Sequence, residues 1–168
     1  MKMKKLFPLL LLALSVCAIT ACSDDDDPKP SETNKEVVGT YEGWTHLETT
    51  YLNKNYPDDT FTLALAEDGS LTATFKDSTW GVATIKGIQA SATAKADEYS
   101  LSESEGSFVM NDIRSGATQE FPCKLESAVV NPKDHQMTAV ISAYMEVGHG
   151  DMTFTFHTGK LPVIMEEE

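Results

Sequence analysis

This chain predicts an all-β fold, an eight-stranded antiparallel barrel in up-and-down order. Three observations carry that reading: from Val37 onward apolar side chains recur with a period of two, no run of ten or more residues carries a helical period, and short turn-forming stretches separate the alternating runs. Closing the barrel is the simplest way for consecutive antiparallel strands with one apolar face to leave no edge exposed. A two-sheet sandwich is the alternative arrangement of the same strands.

The first strand, VVGTYEGWTHLE, begins at Val37. In TFTLALA, Phe61, Leu63 and Leu65 share one face, and in LTATFK so do Leu71, Ala73 and Phe75. The loop between these two strands can be derived. A two-residue turn would pair Leu65 with Thr72 and set the apolar faces against each other. A three-residue loop, Glu67-Asp68-Gly69, pairs Ala66 with Ser70 and aligns them, with Gly69 taking the left-handed conformation. The fourth strand, WGVATIKGIQASATA from Trp80, is expected to bulge near Gly87. The fifth runs from YSLSES into SFVMNDI. FPCKLESAVV and QMTAVISAYM then flank Asn131–His135. Pairing Asn131 with His135 sets Val129 opposite Met137, Ser127 opposite Ala139, Leu125 opposite Ile141, Cys123 opposite Ala143 and Phe121 opposite Met145, all inward. Pro132 presets that turn and Asp134 is expected at its left-handed position. The last strand, MTFTFHT, puts Met152, Phe154 and Phe156 on one face.

In a meander, successive connections alternate ends. By this reading those on one side are tight, whereas on the other side the connections at residues 49–59, around Arg114 and at 146–151 are longer, with only the third-to-fourth connection short. The long-loop end is therefore the expected place for contacts, and the chain enters at the tight end.

Ahead of the barrel, three lysines in MKMKK precede the apolar run LFPLLLLALSVCAIT. This is the layout of a secretory signal rather than a membrane span, since a spanning helix needs roughly 20 apolar residues and this run stops at four aspartates. Ile19-Thr20-Ala21-Cys22 resembles a lipobox. That resemblance implies cleavage after residue 21 and a lipidated Cys22, whose two or more acyl chains anchor stably. Ser23-Asp24-Asp25-Asp26-Asp27 directly after it resembles the export signal of Bacteroidetes surface lipoproteins, which implies an outer-membrane protein facing the extracellular side. The alternative is an acidic linker that stays soluble by self-repulsion. The expected organisation is a signal peptide at 1–21, the lipidated cysteine and a flexible acidic linker at 22–36, the barrel at 37–162 and an acidic tail at 163–168.

Without residues 1–21 the 13 Lys and Arg fall to 10 against 26 Asp and Glu, a formal charge of −16. Such a surface repels nucleic acid. Of three cysteines, Cys17 leaves with the signal and Cys22 is acylated, so Cys123 has no intrachain partner and reads as a small core residue.

VVGTYEGW, EDGSLTATF, WGVATIKGI and FTFHTGKLP together resemble the calycin-like domain of many Bacteroidetes lipoproteins, over most of Val37–Pro162. Gly39-Thr40-Tyr41 also resembles the Gly-x-Trp that opens lipocalins, with Tyr41 in the aromatic place. The lipocalin arginine near the last strand is absent, and the sole arginine, Arg114, lies elsewhere. The resemblance implies a lipocalin-like barrel without fixing its ligand.

No motif names a reaction, and the chain reads as non-enzymatic with no cofactor. Glu146, His149, Asp151 and His157 lack the spacing of a zinc site. The sharper reading is a binder of a small apolar or amphipathic ligand, in the barrel interior or at its loop end. Small inward residues (Ala73, Cys123, Ser127, Ala139, Ala143) favour a cavity, and the phenylalanines favour a filled core. The candidate contacts are Tyr51, Tyr56, Trp80, Arg114 and His149. The competing reading is an accessory module with a filled barrel that meets a partner protein or a glycan.

Overall fold

Period-two alternation becomes ten β-segments in the computed structural model, which describes residues 32–111, 117–145 and 150–162. A short helix, α1 (Glu32–Glu36), precedes β1 (Gly39–Glu48), β2 (Asn53–Leu65), β3 (Leu71–Asp77), β4 (Gly81–Ile88), β5 (Ala90–Ala92), β6 (Tyr99–Leu101), β7 (Ser104–Asn111), β8 (Thr118–Asn131), β9 (Gln136–Met145) and β10 (Gly150–Thr158). β5 continues β4 and β6 leads into β7, so ten segments form eight barrel strands. Each pairs antiparallel with the next, and β10 returns to β1 through Gly43–Glu48 opposite Thr153–Thr158. The barrel is closed.

Two expected irregularities are present. Ala66 N–H donates to Ser70 O (2.8 Å) across the three-residue loop, where Gly69 has φ 80°. Leu71 lies opposite Ile88 and Ala73 opposite Ile85, so one extra residue sits on β4 beside Gly87, whose φ of 73° a side chain would resist.

Two others correct the sequence reading. Cys123 lies opposite Ala143 and Leu125 opposite Ile141 as expected, but a bulge at Glu126 then shifts the register, and Asn131 meets Gln136 rather than His135. Ala128 and Val130 are therefore buried, whereas Val129 is 42% exposed and Ser127 faces out. The physical reason is local. Glu126 is held on the outer wall, where its Oε1 accepts from Ser142 Oγ (2.6 Å) and its Oε2 meets Lys124 Nζ (2.8 Å), so the chain after it changes phase. Phe121 lies opposite Phe108 on β7 and is half-buried, and the left-handed turn residue is His135 (φ 51°), not Asp134.

The second correction concerns residues 53–59, which the sequence presents as loop. They extend β2 against β1, leaving only Thr49–Leu52 as the connection. Asn, Pro and Asp disfavour strands. Here one bulge at Asp58 (φ 62°) absorbs the misfit, and Pro57 sits opposite Trp44.

The barrel is filled through its middle. Phe61, Phe75, Phe108, Phe154 and Phe156 are each fully buried. Phe108 of β7 reaches Phe154 of β10 across the interior with ring centroids 5.1 Å apart, and Phe75 meets Phe154 at 5.6 Å. Burying each such side chain contributes about 1.5–3 kcal/mol. Leu65, expected inward, is 40% exposed because it lies at the strand end beyond this cluster.

The packed body also reaches back into the stretch expected as linker. Asn34 of α1 is fully buried. Its Nδ2 donates to Gly69 O and to Gln89 Oε1, both at 2.8 Å, and its Oδ1 accepts from Ala90 N–H at 2.8 Å. One side chain thus ties the helix to the tight end of the barrel.

Candidate functional site

The opposite end is built by the β1–β2 hairpin and the turn between β3 and β4. Asp77 closes β3, and its Oδ1 accepts from Thr79 N–H (2.8 Å) and Trp80 N–H (2.7 Å), a carboxylate standing in for a backbone acceptor in the turn. Asp59 of β2 holds the same turn from the side, accepting from Ser78 N–H at 2.8 Å. Ser78 Oγ donates to Pro57 O (3.2 Å). Together these bonds place Trp80 edge-on to Tyr56, with ring centroids 6.3 Å apart and planes at 90°. This arrangement suits the ring quadrupoles. Lys54 Nζ lies 5.4 Å from the centre of the Tyr56 ring.

Below the aromatic pair the wall turns polar. Thr45 is fully buried, Asp59 is 1% exposed and Asp77 is 3% exposed. Thr45 Oγ1, Asp59 Oδ2 and Asp77 Oδ2 are each buried without a hydrogen-bond partner. Thr45 stands opposite Tyr56, and its hydroxyl lies close enough to the Asp59 carboxyl to lower that group's pKa. Burial nevertheless raises Asp59 above the ordinary carboxylate range, and the neighbouring charge of Asp58 adds to the rise. Burial raises Asp77 further, to about 6, against the two backbone donors and with the charge of Asp59 contributing. Among the described residues no ion pair neutralises either group. Asp59 also lines an outer groove of about 690 Å³ together with Glu42, Pro57, Asp58 and Lys160.

Of the contacts expected from the sequence, the structure brings together Tyr56 and Trp80. Tyr51 lies apart at the hairpin tip, 80% exposed, where Thr49 Oγ1 accepts from the N–H groups of Tyr51 and Leu52. Five residues of extended chain separate it from Tyr56, about 15 Å. Arg114 and His149 lie outside the described residues, as do Cys22 and Ser23–Asp27. Thr45, Asp59 and Asp77 were missed. The available signal was phase: Asp77 continues the inward series Leu71, Ala73, Phe75, and Asp59 the series Leu63, Phe61, so each carboxylate falls on the apolar side of its strand next to a turn.

Two other side chains are structural. Burial pushes the Cys123 thiol up to about 12, which leaves it an unreactive part of the core. His157 stacks on Trp44 on the outer wall at 4.6 Å. Among the described residues no group of three or more His, Cys, Asp or Glu is placed to hold a metal ion.

The class these features define is the closed eight-stranded antiparallel barrel, an architecture consistent with a calycin-like fold. Comparison with family models, curated proteins and solved structures returns no match.

Proposed function

We propose that this chain is a non-enzymatic, lipid-anchored binding module that takes a small amphipathic ligand at the loop end of its barrel. The observation that carries the reading is the Tyr56–Trp80 pair, posed at the barrel end by a turn whose donors are held by Asp59 and Asp77. Aromatic rings supply contact area at low entropic cost, and polar groups beneath them orient what binds. The loop end is preferred over the interior because phenylalanine rings from facing walls meet there. Lipidation at Cys22 and surface export through Ser23–Asp27 belong to the same reading, supported by the lipobox resemblance and the acidic run that follows it. Since α1 packs at the tight end, a tether through it directs the loop end away from the membrane.

Replacing Tyr51 and Tyr56 together by serine is expected to remove binding in a screen of lipids, glycans and surface proteins while shifting the thermal midpoint by only a few degrees. A large fall in midpoint with binding unchanged would make the tyrosines a structural plug. A second reading, an accessory module that meets a protein or glycan, is favoured by the filled barrel and by Tyr51 standing 80% exposed. Retention of a surface protein without any small-molecule hit would select it.

A further inference from the structure

The polar floor of the loop end is unfinished. Two carboxylates each spend one oxygen on the β3–β4 turn and keep the other buried and unsatisfied, and the Thr45 hydroxyl beside them is fully buried and equally unsatisfied. A buried acceptor without a donor costs about 1–3 kcal/mol, more when charged. Two buried carboxylate oxygens at one place, with the Thr45 hydroxyl beside them, call for further hydrogen-bond donors and positive charge. Beside this floor lie Tyr56, opposite Thr45, and Trp80, whose backbone N–H is held by Asp77, and the protein already rests one cation, Lys54 Nζ, 5.4 Å from the centre of the Tyr56 ring. The outer groove that Asp59 lines carries Glu42 and Asp58 against the single cation Lys160 among its described residues, so its net charge favours cations.

Building on the loop-end reading, we infer that the ligand is an organic cation, an ammonium whose N–H groups go to Asp59, Asp77 and Thr45 and whose apolar body lies against Tyr56 and Trp80. An ammonium brings three donors and a positive charge to two anionic acceptors and a hydroxyl. Its hydrocarbon suits the aromatic pair, which itself attracts cations. A divalent metal fits less well, because calcium takes six to eight oxygens and this floor offers three side-chain groups. An anionic ligand would meet two uncompensated carboxylates.

The test uses the full chain with Trp44→Phe, which leaves Trp80 as the sole tryptophan and its emission as the reporter. Phenethylammonium, 2-phenylethanol, 3-phenylpropionate and calcium are titrated separately. Saturable binding of phenethylammonium is expected, with the alcohol at least tenfold weaker and no binding of propionate or calcium. Asp59→Asn and Asp77→Asn should each weaken the ammonium at least tenfold while the far-ultraviolet circular dichroism stays that of the parent. Thr45→Val should weaken it less. Equal affinity for the three aromatic probes, binding of calcium in their place, ammonium binding unchanged in both aspartate variants, or no binding of any probe overturns the cation site. If the alcohol or propionate binds and Tyr56→Ser removes it, the loop-end reading survives and only the cation is lost. If no probe moves Trp80 and the broader screen is blank as well, both fall.

Discussion

Asp77 is where the residue scale matters most. Burial pushes its carboxyl from the ordinary 3.8 up to about 6, so between those pH values the folded chain keeps a proton that the unfolded chain releases. A raised folded pKa means stability that is present below the unfolded value and lost as pH rises through the folded one. Stability is therefore expected to fall between pH 4 and pH 6, by up to about 3 kcal/mol from this group, with Asp59, also raised, contributing in the same direction. Asp77→Asn keeps an oxygen for the Thr79 and Trp80 N–H groups and removes the charge. Urea midpoints at pH 4.5, 6 and 7.5 should show a flatter profile for the variant and a gain of about 1–3 kcal/mol at pH 7.5. An identical slope in parent and variant would mean that the general acidity of the chain, not Asp77, sets it. Asn34 makes the opposite case, a polar residue whose burial is fully used. Asn34→Ala strands the Ala90 N–H and removes three hydrogen bonds, an expected loss of about 2–4 kcal/mol. Hydrogen exchange at the Ala90 amide should speed up accordingly. Asn34 does not advertise itself in the sequence, because burial of a polar group depends on what the distant chain brings to it, and Asp77 shows only by falling on the inward phase of its strand next to a turn.

Among the elements, the β8–β9 pair tests how far alternation can be trusted. Leu125 and Ile141 face each other, so Leu125→Ala and Ile141→Ala should each cost about 2–5 kcal/mol and combine non-additively. Beyond the Glu126 bulge the phases separate. Val130→Ala should cost about 1.5–3 kcal/mol, and Val129→Ala, at an exposed position, no more than about 0.5 kcal/mol. Denaturation midpoints that reversed this order would restore the unbroken register. The three-residue loop ending at Gly69 was legible because both flanking strands have a single apolar phase and only one loop length aligns them. LESAVV has two: Ser127 and Val129, or Ala128 and Val130. What chooses is the hold on Glu126 by Lys124, two residues earlier on the same strand, and by Ser142 on the neighbouring β9. The β1–β2 extension escaped for a related reason, since NKNYPDD is poor strand sequence that pairs only because β1 is already in place beside it.

For the whole molecule, the anchor and the barrel make separable predictions. Cys22→Ser should move the protein from the membrane fraction to the soluble one after a high-salt wash. Replacing Asp24–Asp27 by alanine should keep it lipidated but protect it from external protease, and unchanged cleavage would reduce the aspartates to a solvated linker. From Cys22 to Glu32 the chain reaches at most about 35 Å, so on the proposed lipidation of Cys22 the tight end would lie within that distance of the membrane and the loop end would point away from it. By itself the sequence determined the all-β class, the eight barrel strands, the turn at Gly69, the bulge near Gly87 and the inward phenylalanines, because each follows from side-chain period and turn chemistry within a few neighbouring residues. Only the tertiary structure decided that the interior is filled, that Asn34 seals one end, and that Thr45, Asp59 and Asp77 meet beneath Tyr56 and Trp80 at the other. Those outcomes depend on which side chains from different strands arrive at the same level of a closed barrel, and that level is set by the bulges at Asp58 and Glu126, which shift one strand's register against its neighbour.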